Sequence, residues 1–321
     1  MADQRQIAQH EHWSQFWRSA GSSLASEAVR LPVLHNLWAD ILIKIPSPAD
    51  GVPLLELAAG SGSVSRHISK MPHLAASTQL ALDASVEALS KLRYGEVAIA
   101  GDLHVLPFAQ RSMHLVTSQF GVEYAGLDGI ANAFDCVSAG GYFAFVIHLS
   151  DGVIHEECVE NSRLIGRFVE SSFLAVAQDL INTSTGAQLS PDHHQKAQMF
   201  RQTLSGVEHL LISATDGQAK DTLLQVYNAV ADMVEAPRHY EAAVVDGWFS
   251  KTHAELAGYA QRMDQMCRSA LSEQDRTAVT QLAEMRGFDI TRQGIVYDGE
   301  DGLQPAPVAW HIVARRVRGD K

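Results

Sequence analysis

The chain has 321 residues, more than one typical domain, and 46% of them are apolar against 19% charged, a balance that supports a packed core and argues against disorder. A net charge of −12 argues against a nucleic acid ligand, because the only basic run, Arg315-Arg316-Val317-Arg318, sits at the very end. Cys136, Cys158 and Cys267 are scattered without a C-x-x-C pair, residues 1–20 lack the apolar segment of a signal peptide, and no apolar run approaches the ~18 residues of a membrane span; the expectation is a cytoplasmic protein with neither a disulfide framework nor a zinc knuckle.

Residues 3–18 predict an amphipathic helix with Ile7, Trp13, Phe16 and Trp17 as its apolar members. Residues 22–45 continue as a second helical region with a break at Pro32, so 1–50 read as an N-terminal helical cap that ends in the loop Pro46-Ser47-Pro48-Ala49-Asp50-Gly51. Leu54-Leu55-Glu56-Leu57 is a short buried strand, Ala58-Ala59-Gly60-Ser61-Gly62-Ser63 a small-residue turn, and Val64, His67, Ile68 and Met71 begin a helix. Strand, glycine turn and helix make the opening unit of a nucleotide-binding α/β domain. A dinucleotide site needs G-x-G-x-x-G, but Ser65 stands at the third glycine, and Glu56 would face the pyrophosphate. An ammonium or sulfonium ligand suits that charge better.

Gln79-Leu80-Ala81-Leu82-Asp83 reads as a second strand whose terminal acid accepts ribose hydroxyls. A helix marked by Val86, Leu89 and Leu92 follows, then a strand Val97-Ala98-Ile99-Ala100 that ends at Gly101-Asp102-Leu103. Leu106-Pro107-Phe108 leads to a fourth strand from Leu115 to Gly121, a helix over 127–139 stopped by Gly140-Gly141, and a fifth strand from Tyr142 to His148. From 151 to 270 the apolar residues recur at helical spacing, as in Leu164, Ile165, Phe168, Val169, Phe173, Val176, Leu180 and Ile181, with Ser190-Pro191 as a helix start. Ser272-Glu273-Gln274-Asp275 forms a capping box, Gly287 ends that helix, and strands over 289–297 and 307–317 flank a turn around Asp298-Gly299-Glu300-Asp301-Gly302. The fold class is α/β: a Rossmann-like, seven-stranded, mostly parallel sheet with helices on both faces, built from 51–150 and 271–321. The helical insertion of 151–270 is placed as a lid or a dimerisation arm.

The turn after Glu56 resembles motif I of class I S-adenosylmethionine-dependent methyltransferases, acidic-x-Gly-x-Gly-x-Gly, with Ala58 in place of the first glycine and Gly60 and Gly62 as the others. The stretch GDLHVLPFAQRSMHLVTSQFGVEYA and the later GGYFAFVIH are similar to the small-molecule branch, which includes the C-methyltransferases of ubiquinone and menaquinone synthesis. His114 departs from the usual Asp before the fourth strand. The resemblance implies S-adenosyl-L-methionine as cofactor and S-adenosyl-L-homocysteine as product. Its cofactor contacts would be Glu56, Ala58, Gly60, Gly62, Asp83, Ala84, Asp102, Leu103, Ser118 and Gln119. Asp102 would accept from the adenine amino group, Leu103 would pack on the ring, and Ser118 and Gln119 would lie beside the methionine part. Trp13, Trp17 or Arg30 could cover the cofactor.

Methyl transfer from a sulfonium needs alignment and, for some acceptors, a base. His148, at the end of the fifth strand, is the leading candidate, with Tyr124 and Glu123 bordering the acceptor pocket. No metal is required: His155-Glu156-Glu157 and His193-His194 lack ligand spacing, and Phe168, Phe173, Met199, Phe200 and Trp248 suit a core better than a substrate box. The expected partner is a small-molecule acceptor, neutral, cationic or zwitterionic before polyphosphate. Nucleic-acid methylation is disfavoured, since Thr117-Ser118-Gln119-Phe120 is neither an Asn/Asp-Pro-Pro-aromatic nor a Pro-Cys motif. Two alternatives stand: an NAD(P)-dependent oxidoreductase, and a non-catalytic methyltransferase-like subunit serving as partner or cofactor sensor. Whether methylation falls on carbon, oxygen, nitrogen or sulfur is left open.

Overall fold

The computed structural model describes residues 13–18, 32–49, 51–184, 191–299 and 305–318. Residues 3–12 and 22–31 of the two predicted helices, with Arg30, lie outside the described residues; so do Ser190 and Glu300–Gly302 of the last turn. Residues 13–18 are helical (α1). The remaining elements are α2 (Pro32–Leu42), β1 (Leu54–Leu57), α3 (Ser65–Ile68), α4 (Pro72–Ala75), β2 (Gln79–Asp83), α5 (Val86–Leu89), β3 (Val97–Ala100), β4 (Met113–Gln119), α6 (Gly126–Cys136), β5 (Val137–His148), α7 (Val153–Glu170), α8 (Phe173–Asn182), α9 (His193–Ser213), α10 (Gln218–Glu235), α11 (Ala242–Ser269), α12 (Glu273–Met285), β6 (Phe288–Asp298) and β7 (Ala306–Arg316).

The strands form one seven-stranded sheet in the order β3-β2-β1-β4-β5-β7-β6. β1 to β5 pair in parallel, and β7 runs antiparallel to both β5 and β6. The strands at the centre are the most apolar: every residue of β1 and of β4 is buried, as a strand covered on both faces requires. β3, at the edge, is largely exposed. Chain order reverses between β1 and β4. Right-handed crossovers therefore send the helices before and after that reversal to opposite faces. One face packs Phe134, Phe143, Phe145 and Phe288 into an aromatic cluster with Val279 and Ala283 of α12. α2 buries Leu34, Leu37, Trp38, Ile41 and Leu42, a single helical stripe.

Two expectations need correction. The helix expected over 127–139 ends at Cys136, and the fifth strand begins at Val137 instead of Tyr142. Val137 pairs with Met113, and the ladder resumes only at Tyr142 opposite Leu115, so the residues between form a bulge. Gly140 has φ +79°, and a Cβ on Gly141 would stand 2.8 Å from the His114 carbonyl oxygen; the two glycines shape a strand irregularity and do not stop a helix. The apolar run from Leu164 to Ile181 is two helices, split at Ser172 with φ +59°.

The chain forms two compact units. The first comprises the described residues up to Glu156 and from Gln265 onward and contains the sheet. The second is Glu157–Asp264, a helical unit whose own core includes Phe168, Phe173, Phe200, Val207, Leu223 and Phe249. Within the first unit, the strand end and the returning chain are stitched together: Leu271 N–H donates to the His148 carbonyl (2.8 Å), and Ser150 N–H to that of Leu271 (3.2 Å). Ser272 and Asp275 then cap α12 reciprocally, and Gly287 follows its C-terminus at φ +78°. No helix among the described residues is long and apolar enough to cross a membrane.

Candidate functional site

The reversal of chain order is where an open α/β sheet offers its ligand crevice, beyond the carboxyl ends of the strands. The tips of β1, β2 and β4 converge there. Gly60 N–H donates to Oδ2 of Asp83 at 2.8 Å, Ser85 N–H to Oδ1 at 2.8 Å, and Ala59 N–H to the Leu82 carbonyl at 3.0 Å. Gly60 and Gly62 have φ +55° and +83°, the left-handed region that glycine enters without strain. Ala58 also has a positive φ, +47°, although it carries a Cβ. On the next strand tip along, Gly101 N–H donates to the Asp83 carbonyl, and Asp102 holds the His104 N–H (2.9 Å) and its imidazole Nδ1 (2.8 Å). Ala84 is exposed, and Leu103 is half-buried against the core. Glu56 thus lies within β1, Asp83 at the end of β2 and Asp102 just past β3, on or after three neighbouring strands.

Glu56 does something other than the charge pairing expected of it. Both carboxyl oxygens turn inward: Oε1 accepts Val64 N–H (2.8 Å), and Oε2 accepts Ser65 N–H (2.8 Å) and the Ser65 hydroxyl (2.5 Å). N–H groups at the start of α3, which have no intrahelical acceptor, take both carboxyl oxygens, and the side chain braces the glycine turn from beneath. Burial raises its pKa to about 7, against those hydrogen bonds and helped by nearby Glu96. A proton held more tightly when folded stabilises the chain below the ordinary carboxyl value of 4.5, and that stabilisation is lost as pH rises through about 7. Between pH 4.5 and 7 the stability of the wild type, measured by urea unfolding, should fall relative to Glu56→Gln by on the order of 3 kcal/mol. A pH-independent difference would show that Glu56 stays ionised.

Ser118 and Gln119 also spend their side chains internally. Ser118 Oγ donates to the Leu57 carbonyl (3.0 Å) and accepts Val122 N–H (3.0 Å), tying β4 to β1. Gln119 Oε1 accepts the Trp38 indole N–H at 2.6 Å. His114, in place of the usual Asp, lies with Nε2 2.8 Å from the Pro46 carbonyl oxygen.

One strand further, His148 is 3% exposed and pairs with Glu123, also 3% exposed. Oε1 of Glu123 lies 2.7 Å from the imidazole Nδ1 and accepts the His148 backbone N–H at 3.1 Å. A carboxylate only accepts, so Nδ1 carries a ring proton, and in the neutral imidazole the lone pair is on Nε2. Among the described residues nothing hydrogen-bonds to Nε2 of His148 or Oε2 of Glu123, and both atoms are buried. Phe120, at φ +56°, stacks on the imidazole with ring centroids 4.2 Å apart, and Tyr124 meets its edge at 6.3 Å. Sequence reasoning put Glu123 beside the pocket but missed the pairing. The signal was topological: β4 and β5 are parallel neighbours, so residues just past one strand's end meet the end of the other.

From Tyr124 the aromatic row continues to Trp13 (5.8 Å), Phe16 (5.8 Å) and Trp17 (5.3 Å). A Cβ on Gly60 would stand 2.9 Å from the Trp17 ring. Helix α1 therefore reaches from the glycine turn to Tyr124, whose ring in turn meets His148. His193 lies with Nδ1 3.1 Å from the Thr183 and Ser184 hydroxyls. Among the described residues no group of three His, Cys, Asp or Glu is arranged to hold a metal ion.

No protein-family model and no curated protein matches the sequence. Several solved structures are similar. The plantazolicin methyltransferase BpumL, in complex with SAH, is 12% identical over 98% of this chain and 97% of its own, with a TM-score of 0.47. The geranyl diphosphate C-methyltransferase from Streptomyces coelicolor A3(2) is 9% identical over 88% and 77%, with a TM-score of 0.41. A Haloferax volcanii methyltransferase in complex with the Trm112 activator is 20% identical over 42% and 60%, with a TM-score of 0.36. The matched part takes in 60% of that chain and 52% of an S-adenosylmethionine-dependent methyltransferase from Mesorhizobium loti. What these methyltransferases share with the present chain is a likeness of fold.

Proposed function

We propose that this chain transfers a methyl group from S-adenosylmethionine to a small-molecule acceptor. The observation that carries the reading is the braced turn at the reversal point, with Gly60 N–H on the Asp83 carboxylate and Glu56 beneath, in a sheet closed by an antiparallel β7. The residues fit an adenosyl ligand: Asp83 ends β2 as a partly exposed acid and Ala84 beside it is open, while the Trp17 ring lies over Gly60 and the Leu92 and Glu96 side chains close on Gly62. Bound there, the cofactor would supply a methyl group already activated on a sulfonium. The chain's own part is to align the acceptor, exclude water and take up a proton. His148 Nε2 takes the proton, Glu123 fixes the imidazole's tautomer, and Trp13, Phe16, Trp17 and Tyr124 wall the space off.

Isothermal titration tests the reading. S-adenosylhomocysteine should bind and NADH should not. Asp83→Ala should weaken the binding of S-adenosylhomocysteine about a hundredfold, since it removes the ribose acceptor and frees Gly60 together. Binding of NADH in place of S-adenosylhomocysteine would replace this reading with a nicotinamide-dependent one.

A further inference from the structure

Trp38 takes only one end of Gln119. An indole N–H can only donate, so the amide atom 2.6 Å from it is the oxygen, Oε1. Turning the amide end for end would set two donors against each other in a buried place. Nε2 is therefore the end left to aim. It has no hydrogen-bond partner among the described residues and, unlike Nε2 of His148, it is not sealed from solvent. The neighbouring Ser118 has no such freedom, because its hydroxyl already donates to Leu57 and accepts from Val122.

The sheet puts this amide midway along the crevice. β2 ends in Asp83, β1 runs into the glycine turn, β4 ends in Gln119 and β5 ends in His148, and the four strands are neighbours in that order. Gln119 pairs with Val146, and His148 lies two residues further on, so Gln119 and His148 leave the same face of the sheet. A Cβ on Gly121 would stand 2.3 Å from that of Ala58, so the chain just past β4 lies directly against the turn.

Resting on the methyltransferase reading of this site, we propose that Gln119 recognises the carboxylate at the amino-acid end of the cofactor, and that Trp38 is the positioning residue that makes it a donor there. With its ribose on Asp83 and its adenine toward β3, an adenosyl ligand would carry its amino-acid end toward β4. That end bears a carboxylate, which only accepts, and an ammonium, which only donates. The two N–H donors of Nε2 match the carboxylate and have nothing to offer the ammonium. The oxygen that would suit the ammonium is held by the indole. A tryptophan on α2 thus decides which of two opposite charges is read at the tip of β4.

The test is isothermal titration of the full chain with two ligands, S-adenosylhomocysteine and its decarboxylated analogue, which keeps the ammonium and lacks the carboxylate. The wild type should prefer S-adenosylhomocysteine. Gln119→Glu keeps an acceptor for the Trp38 indole but puts a negative oxygen where the donors were. It should weaken S-adenosylhomocysteine about tenfold or more and leave the analogue bound as tightly or more so, which reverses the preference. Trp38→Phe keeps a ring but frees the amide to turn, and should weaken S-adenosylhomocysteine about threefold to tenfold while the analogue holds or gains. Equal losses for both ligands would reduce the two residues to packing, and an unchanged preference in Gln119→Glu would put the carboxylate elsewhere; either result overturns the assignment. If the wild type binds neither ligand, the methyltransferase reading itself falls, and the assignment with it.

Discussion

Replacing His148 with alanine should lower turnover by about 10²–10⁴-fold while S-adenosylhomocysteine binds as in the wild type. The side chain contributes nothing to the glycine turn: its bonds are to Glu123, and its ring contacts are with Phe120 and Tyr124. Truncation removes the imidazole nitrogen proposed to take the proton and leaves Oε1 of Glu123 with the backbone N–H of position 148 alone. Glu123→Gln should cost less, because the amide can still accept from Nδ1, yet it no longer stabilises the imidazolium that forms. The two variants differ from a packing defect in one readout. The limb of the pH–rate profile that depends on the imidazole is lost in His148→Ala and displaced in Glu123→Gln, whereas a packing variant such as Phe120→Leu keeps it in place. Full turnover in His148→Ala would reduce the pair to a fastening between β5 and the segment after β4.

Gly121→Ala should destabilise the fold by about 2–4 kcal/mol in urea unfolding. A Cβ on Gly121 would stand 2.3 Å from the Cβ of Ala58, with Ser118 Oγ at 3.3 Å, and neither methyl sits on a flexible arm that could swing aside. The backbone of one strand tip must retreat, and the glycine turn retreats with it. Ala58 is already strained by its left-handed φ, which costs an L-residue about 1–2 kcal/mol. Ala58→Gly should therefore stabilise the chain by about 1 kcal/mol on its own, and in the double variant it should recover most of the Gly121→Ala loss, because the two positions share the space of one methyl group. Additive single effects would mean that the two carbons do not compete.

Much of this frame could be read from the sequence, and the reasons are local. β1 and β2 are short apolar runs bounded by turn residues, and the bounds predicted for β2, Gln79 to Asp83, are the observed ones. The capping box at Ser272 and the glycine at 287 set the ends of α12 by chemistry that acts within a few residues. Two kinds of feature resisted. A serine at Ser172 adopts a left-handed backbone with no glycine or asparagine to announce it, and the Gly140–Gly141 pair looks alike whether it ends a helix or bulges a strand. Side-chain partners depend on the third dimension: Glu56, Ser118 and Gln119 lie where expected along the chain, but backbone N–H and C=O groups and the Trp38 indole claim them first. The pairing of Glu123 with His148, 25 residues apart, appears only once β4 and β5 lie side by side.

The bonds that tie Leu271 to His148 and Ser150 also bear on how such a protein changes over generations. Glu157–Asp264 departs from and rejoins the strand-bearing unit through chain segments that this unit fastens to each other, so its ends are held by the sheet's own closure, as with a bead whose string is already knotted. Lineages can enlarge, exchange or discard such a bead without rethreading a single strand.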